Sequence, residues 1–429
     1  MLDIKLIRES PELVRANIER RQDKEKVKLL KKVIKLDTKW RELTAEANEL
    51  RKRRNEISLE IAKLKKENKS SEAEEKMKEA SRLPTKIKQT ESRLEELGEE
   101  LRMGLMRLPN MLHESVPFGK DDKDNVEIRR WGKPPQFDFE PKSHIDILTN
   151  LGLIDLERAA KISGDGFYYL KGDLVLLDLA IQRFALDLLR KRGFTVVEPP
   201  FMMRRKAYEG VTDLGDFESV MYKAENEDLY LIATSEHPMG AMFMNEVMDK
   251  QQLPIRFAGV SPCFRREVGS HGKYTKGIFR VHQFNKIEQF IFCTPEQSWQ
   301  IHEELQKNSE DLYQALGLHY RVVSVCTGDI GSIAAKKYDT EVWMADGQFR
   351  EAGSNSNCTD YQARRLNVRW REGEGKPVVG FVHTLNNTAL ATSRTMLAIV
   401  EQFQQKDGSV VVPKVLRPFM DGIEILEKK

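Results

Sequence analysis

Residues 263 to 288 read Cys-Phe-Arg-Arg-Glu-Val-Gly-Ser-His-Gly-Lys-Tyr-Thr-Lys-Gly-Ile-Phe-Arg-Val-His-Gln-Phe-Asn-Lys-Ile-Glu. Two β-rich segments flank a basic loop containing glycine and serine, with one arginine near the inner end of each, Arg265 and Arg280. Cations so placed could hold a polyphosphate lying between the strands. Arginine suits that task because its guanidinium grips phosphate oxygens with two parallel hydrogen bonds and does not lose its proton. A charged hairpin with surface ion pairs uses the same ingredients, and a lone Phe-Arg-x-Glu would read that way. Two other stretches carry chemistry of a related kind. Thr384 to Glu401 runs from a β-like segment into an amphipathic helix opened by Arg394, a place where arginine is most often structural. Leu231 to Pro238 contains Thr234-Ser235-Glu236, a common tripeptide in which the carboxylate suits an ammonium and the threonine a neutral hydrogen bond.

Such side chains need a scaffold, and 429 residues suffice for two or three domains. From Leu29, apolar residues recur in steps of four and three as Leu29, Val33, Leu36, Trp40, Leu43, Ala47, Leu50, Ile57, Ile61 and Leu64, with Arg54 the one polar intruder. After a polar break at 66–71 the spacing returns, less regularly, in Ala80, Leu83, Ile87, Thr90, Leu94, Leu97, Leu101 and Leu108. Two such seams joined by a short turn predict an antiparallel coiled-coil hairpin, with Pro84 kinking or delaying its second helix. Its outer faces carry Arg51 to Arg54, Lys63, Lys65, Lys66, Lys69, Lys76 and Lys78, a pattern that by itself marks a solvated helix surface. Ahead of the hairpin, Ser10 and Pro11 predict the start of a short helix. Beyond Leu108 the chain mixes prolines, helices and β-rich segments such as Thr195–Val197, 229–232, 286–293, 320–325 and 378–382. With neither a Rossmann glycine pattern nor a P-loop, the irregular alternation predicts an α+β domain on a mostly antiparallel sheet flanked by helices. The division expected is residues 1–110 for the coiled-coil domain and 111–429 for the second. Cys263, Cys293, Cys326 and Cys358 form no CxxC pair, which predicts reduced thiols and neither a zinc ribbon nor a disulfide framework. No apolar run is long enough to cross a bilayer, and the N-terminus resembles no targeting signal, so cytoplasmic residence is expected.

The stretch FRREVGSHGKYTKGIFRVHQFNKIEQF is long enough to decide between the two readings of the hairpin. It resembles motif 2 of the class II aminoacyl-tRNA synthetases, in the form found in seryl-tRNA synthetases. The 384–401 stretch is similar to motif 3. Leu179 to Arg192 followed by Gly193 to Pro200 resembles motif 1, the helix and strand through which the class forms homodimers. The resemblance implies that Arg265 holds the ATP α-phosphate and the amino-acid carboxylate and is catalytic, together with Arg394. It also implies that Arg266, Glu267, Arg280, Val281 and Phe284 bind ATP, with Arg394 opposite Phe284 across the adenine. Thr234, Ser235, Glu236, Arg265, Glu288, Asn386 and Thr388 would bind serine. The segment from Phe349 to Arg365 matches a further family region, from which Glu351, Ala352, Gly353 and Ser354 are implied in ATP binding, and Glu351 and Ser354 as oxygen ligands of Mg²⁺. Three departures stand out: Lys273-Tyr274-Thr275-Lys276 where an Arg-Asp-Thr-Arg-like run is usual, Gly353 for Ser or Thr, and Asn355 for Cys.

The resemblance covers nearly the whole chain, arm included, and implies serine–tRNA ligase activity with ATP, Mg²⁺, L-serine and serine tRNA. Selenocysteine tRNA follows as a second RNA partner, the homodimer as the assembly, and no membrane. His282 and His383 are not expected in catalysis, since a carboxylate nucleophile needs no protein base. The rival readings are a synthetase-like paralogue acting as a binding or structural protein, and a ligase that loads amino acids onto a carrier protein. The first would have lost Arg265, Glu288, Glu351 or Arg394, all of which are present; the second would lack the arm.

Overall fold

The computed structural model describes residues 1–213, 218–267 and 277–428. They separate into two compact units, Met1–Pro109 and the chain from Asn110 onward. In the first unit, Asp23 caps a 43-residue helix by accepting from the amides of Glu25 and Lys26, and Lys63, Lys65 and Lys66 crowd its last turn, where the helix dipole favours cations. We label the helices of this unit α1 (Ile4–Glu9), α2 (Pro11–Glu19), α3 (Lys24–Lys66) and α4 (Ser70–Arg107). Ser10 is indeed the N-cap of α2, with Pro11 at its first position. The helices α3 and α4 bury Leu30, Val33, Leu36, Ala47 and Ile57 on one side and Ala73, Leu83, Ile87, Thr90, Leu101 and Leu105 on the other. At about 1.5 Å per residue, α3 spans roughly 65 Å.

Three details differ from the sequence pattern. Leu30 is more deeply buried than Leu29, which lines a groove with Met103 and Gly104 of α4, and Arg54 is exposed. Pro84 neither delays nor ends α4, which starts fourteen residues earlier and runs through it. Pro84 itself is exposed, and its neighbours Leu83 and Ile87 are buried against Ile57; that packing offsets the lost backbone hydrogen bond. Part of the basic surface is also internally committed: Arg51 pairs with Glu91 at 2.7 Å, Arg53 with Glu79 at 2.9 Å and Lys76 with Glu60 at 2.8 Å.

The second unit is built on an eight-stranded sheet. In chain order its strands are β1 (Val126–Trp131), β2 (Thr195–Val197), β3 (Ile255–Phe264), β4 (Gln283–Cys293), β5 (Tyr320–Ser324), β6 (Lys336–Trp343), β7 (Phe349–Thr359) and β8 (His383–Ala391). Their order across the sheet is β1-β5-β6-β7-β8-β4-β3-β2, and every pairing is antiparallel except that of β2 with β3. This is the expected mostly antiparallel α+β architecture. Three amphipathic helices cover the sheet: α5 (Asp173–Lys191), α6 (Ser298–Ala315) and α7 (Thr392–Gln402). The core between them includes Leu177, Ile181, Ile287, Ile291, Leu305, Leu312, Leu385 and Ile399. The alternation along β4 is what serves a site: Ile287 and Gln289 face the helices while Lys286 and Glu288 face the open side. Near the end of the chain, Ile425–Leu426 pairs with Val410–Val411.

Candidate active site

Strands β3, β4, β8 and β7 lie side by side, and their open face carries two adjoining cavities. The first is lined by Arg265, Glu267, Arg280, Val281, Phe284, Glu351, Ala352, Gly353 and Arg394, with Phe279. Arg265 leaves β3 with its guanidinium 5.2 Å from the centroid of the Phe284 ring, and its Nε donates to the Ala233 carbonyl at 3.3 Å. Arg394, in the first turn of α7, lies 4.9 Å from the Phe279 ring centroid and donates to the Glu351 carbonyl at 2.7 Å. Two guanidiniums thus face aromatic rings in one cleft, an arrangement suited to a flat base and its phosphates. Arg280 Nε donates to the Glu267 carboxylate, and Glu267 holds a left-handed backbone, φ 46°, that non-glycine residues seldom adopt.

The second cavity, about 480 Å³, is lined by Thr234, Glu236, Glu288, Ser354, Asn386 and Thr388 and shares Arg265, Lys286, Glu351 and Thr388 with the first. Glu236 Oε1 accepts from Gln362 at 3.2 Å and Asn386 at 3.1 Å. Burial, and then the charge of Glu288, push its carboxyl from 4.5 up to about 7. Glu288 is buried, pairs with Lys286 at 2.5 Å and accepts from the Thr388 hydroxyl at 3.2 Å. The Thr234 hydroxyl accepts from the Glu236 amide at 3.2 Å. Burial pushes the neighbouring His237 down to about 3, so it is a neutral imidazole, 3.0 Å from the Tyr208 hydroxyl. Half of the Glu351 side chain is open to the cleft. Burial acts to raise its carboxyl, yet Arg394, Lys337 and Arg265 outweigh that and hold it down to about 2. A pocket of acceptors that suits an ammonium and a hydroxyl therefore abuts a cleft lined by arginines and aromatic rings, with Arg265 lining both.

The chain is 57% identical to the serine–tRNA ligase of Methanocella arvoryzae over 99% of its own length and all of the relative's. It belongs to the seryl-tRNA synthetase family. Residues 1–112 match the Seryl-tRNA synthetase N-terminal domain, and residues 217–403 the tRNA synthetase class II core domain (G, H, P, S and T). The seryl-tRNA synthetase of Pyrococcus horikoshii, solved in complex with ATP, superposes with a TM-score of 0.96 at 49% identity, all of both chains being covered. The cytoplasmic serine–tRNA ligase of Naegleria fowleri, solved with AMP, gives 0.90 at 37% identity, covering all of this chain and 99% of that one.

Among the residues singled out from the sequence of this seryl-tRNA synthetase family member, Arg266 and Ser235 line neither cavity. Arg266 is exposed, as the neighbour of an inward-facing residue in extended chain tends to be, and its amide donates to the Val220 carbonyl at 2.8 Å. Ser235 is fully buried behind Gly259, where an added Cβ would come within 2.7 Å of its Oγ. Lys273 to Lys276 fall outside the described residues. The other two departures have physical settings. A Cβ on Gly353 would stand 3.0 Å from the Thr388 Cβ and 3.1 Å from its carbonyl oxygen, so the larger residues usual there would press on the cavity wall. Asn355 faces away from the cavities, where its Nδ2 donates to the His302 carbonyl at 2.9 Å beneath α6. The histidines occupy structural positions: His282 stacks on Phe167 at 5.0 Å, and His383 Nδ1 lies 2.9 Å from the Ser298 hydroxyl.

Reasoning from sequence missed Lys286 and Gln362. Lys286 precedes Glu288 by two residues on one strand, so shared facing was a signal available in the letters. Gln362 is brought to Glu236 by a short helix, Tyr361–Leu366, and no spacing announces that contact. The family's Mg²⁺ finds suitable donors. The Ser354 hydroxyl lies 3.3 Å from Glu351 Oε1, and Asp339, paired with Ser354 across β6 and β7, keeps a buried Oδ1 that no hydrogen bond satisfies. These are hard oxygen ligands. Among the described residues no group of three His, Cys, Asp or Glu could hold a metal ion.

Proposed function

We propose that the protein activates L-serine with ATP to seryl-adenylate and transfers the seryl group to serine tRNA. The convergence of Arg265, Lys286, Glu236 and Glu288 where the two cavities meet carries this reading. The serine ammonium is held by the ionised form of Glu236, and the hydroxyl by Glu288 and Thr388. An amino acid without the hydroxyl leaves Glu288 and Thr388 incompletely satisfied, whereas threonine must fit a methyl into the same space. Alanine is therefore rejected more strongly than threonine.

Arg265 binds the serine carboxylate and the α-phosphate together. A carboxylate oxygen attacks the α-phosphorus in line, the bond to the bridging oxygen breaks, and diphosphate leaves with its electrons; Arg265 stabilises the charge that spreads over the α-phosphate oxygens. Arg394 and Phe284 hold the nucleotide from opposite sides, and the ion pair of Arg280 with Glu267 bounds the cleft beside it. Glu351 and Ser354 would hold Mg²⁺, which when bound would neutralise phosphate charge. A terminal ribose hydroxyl of the tRNA then attacks the seryl carbonyl and AMP departs.

The coiled-coil domain, residues 1–110, engages serine tRNA through its lysines and arginines, reading backbone and shape, and selenocysteine tRNA by the same features. The catalytic domain, 111–429, pairs with a second copy through the α5 and β2 region. Val175, Leu179 and Val196 there are 38%, 55% and 37% exposed, which supports an apolar contact. A cytoplasmic enzyme fits the absence, among the described residues, of any helix long and apolar enough to cross a membrane. The deciding experiment is ATP–pyrophosphate exchange across the amino acids, first without tRNA and then with it. Serine-dependent exchange followed by charging of serine tRNA is expected; exchange with a different amino acid overturns the reading.

A further inference from the structure

Glu288 on β4 and Thr388 on β8 are partners across the two strands. Strand pairing alone does not guarantee that register, because the ladder shifts between Thr388 and Leu390, immediately beyond the contact. A one-residue slip moves each side chain to the other face of a sheet, so whatever fixes the register here also fixes which way Thr388 points. A slip here would turn Thr388 away from the cavity.

On the reverse face the next pair, Gln289 and Asn387, is buried beneath α6 at 0% and 1% exposure. Gln289 Nε2 donates to Asn387 Oδ1 at 3.2 Å, and Asn308 Nδ2 donates to Gln289 Oε1 at 2.6 Å. The Ser309 hydroxyl lies 2.6 Å from Asn387 Oδ1 and 3.1 Å from the Thr388 carbonyl. Asn308 also accepts from Arg192, at the end of α5, which is itself anchored to Asp311 at 2.6 Å. Amides buried in an apolar layer are costly unless paired, and a network like this one is paired in a single strand register. An apolar layer of equal volume would lack that selectivity.

We infer that Gln289, Asn387, Asn308 and Ser309 form a register clamp: positioning residues that hold Thr388 opposite Glu288 from behind the sheet and so set the enzyme's preference for serine. The inference rests on the assignment of Glu288 and Thr388 to the substrate hydroxyl. The test compares full-length Ser309→Ala, Gln289→Met and Ser309→Thr with the native protein in pyrophosphate exchange, using serine, threonine and alanine. Loss of the hydroxyl in Ser309→Ala, or of the amide with its bonds to Asn387 and Asn308 in Gln289→Met, should raise the serine KM by at least about ten-fold and lower serine preference in step, with the ATP KM changed by less than about two-fold. Ser309→Thr keeps the hydroxyl and should recover most of the loss. Native serine KM and preference in folded, ATP-binding Ser309→Ala would overturn the clamp, as would equal damage to the serine and ATP constants. Should Gln289→Met fail to fold, Ser309→Ala, which removes a single oxygen, decides. Undiminished serine use by Glu288→Ala would instead refute the site assignment, leaving the two failures distinguishable.

Discussion

Glu236 is a group in the site whose charge ordinary buffers can change. With its carboxyl raised to about 7, proton and substrate ammonium compete for the same oxygens. Competition of that form multiplies the apparent serine KM by one plus ten to the power of the pKa minus the pH. The factor is about 1.1 at pH 8, about 2 at pH 7 and about 11 at pH 6, a roughly ten-fold weakening over two units. Pyrophosphate exchange at the three pH values, with serine varied at saturating ATP and then the reverse, separates this effect from titration of the nucleotide. Glu236→Gln keeps the oxygen that accepts from Gln362 and Asn386 and removes only the charge. A charge-assisted bond contributes about 1.5–3 kcal/mol, so the variant's serine KM should rise roughly ten- to hundred-fold at pH 8 and lose its pH slope.

Its stability should move the other way. Between pH 4.5 and about 7 the folded protein keeps a proton that the unfolded chain has released, so this group makes stability fall as pH rises through that window. The penalty reaches at most about 3 kcal/mol above it, and Glu236→Gln should therefore melt at a higher temperature than the native protein at pH 8. A serine KM independent of pH in the native enzyme, or a slope that survives in the glutamine variant, would refute the reasoning.

Three further outcomes are expected. Gly353→Ala forces a Cβ against Thr388, which both cavities share; overpacking of this kind costs about 1–3 kcal/mol, and exchange kinetics should show the KM of ATP and of serine both raised, by up to about ten-fold. Lys286→Met leaves Glu288 buried without its countercharge, a loss of about 3–5 kcal/mol that thermal melts and a collapse of serine-dependent exchange should both register. Deleting Lys24 to Arg107 should leave serine-dependent exchange largely intact while abolishing tRNA charging; equal loss of both activities in a folded deletion protein would contradict the division of labour between the two units.

The coiled coil and the strands were legible because each writes a period into the chain, and a period survives a single interruption such as Arg54. That Arg265, Val281 and Phe284 share one cavity was legible because the segment that carries them is long and continuous. What escaped notice depends on registers and backs of strands. The clamp beneath Glu288 joins β4, β8 and α6, three segments whose letters contain no common pattern. The setting of Asn355 was equally hidden, because only the pleat of β7 turns it from the cavity toward α6. Pro84 does not delay the second helix, because tertiary packing of Leu83 and Ile87 permits what local propensity disfavours.

The bare backbone at Gly353 also limits how this enzyme could be re-engineered. A wall with no side chain can be thickened but not trimmed, so no substitution there enlarges the space beside Thr388. Widening the amino-acid repertoire has to begin at side chains that line the second cavity, such as Asn386 and Cys358, where there are atoms to remove.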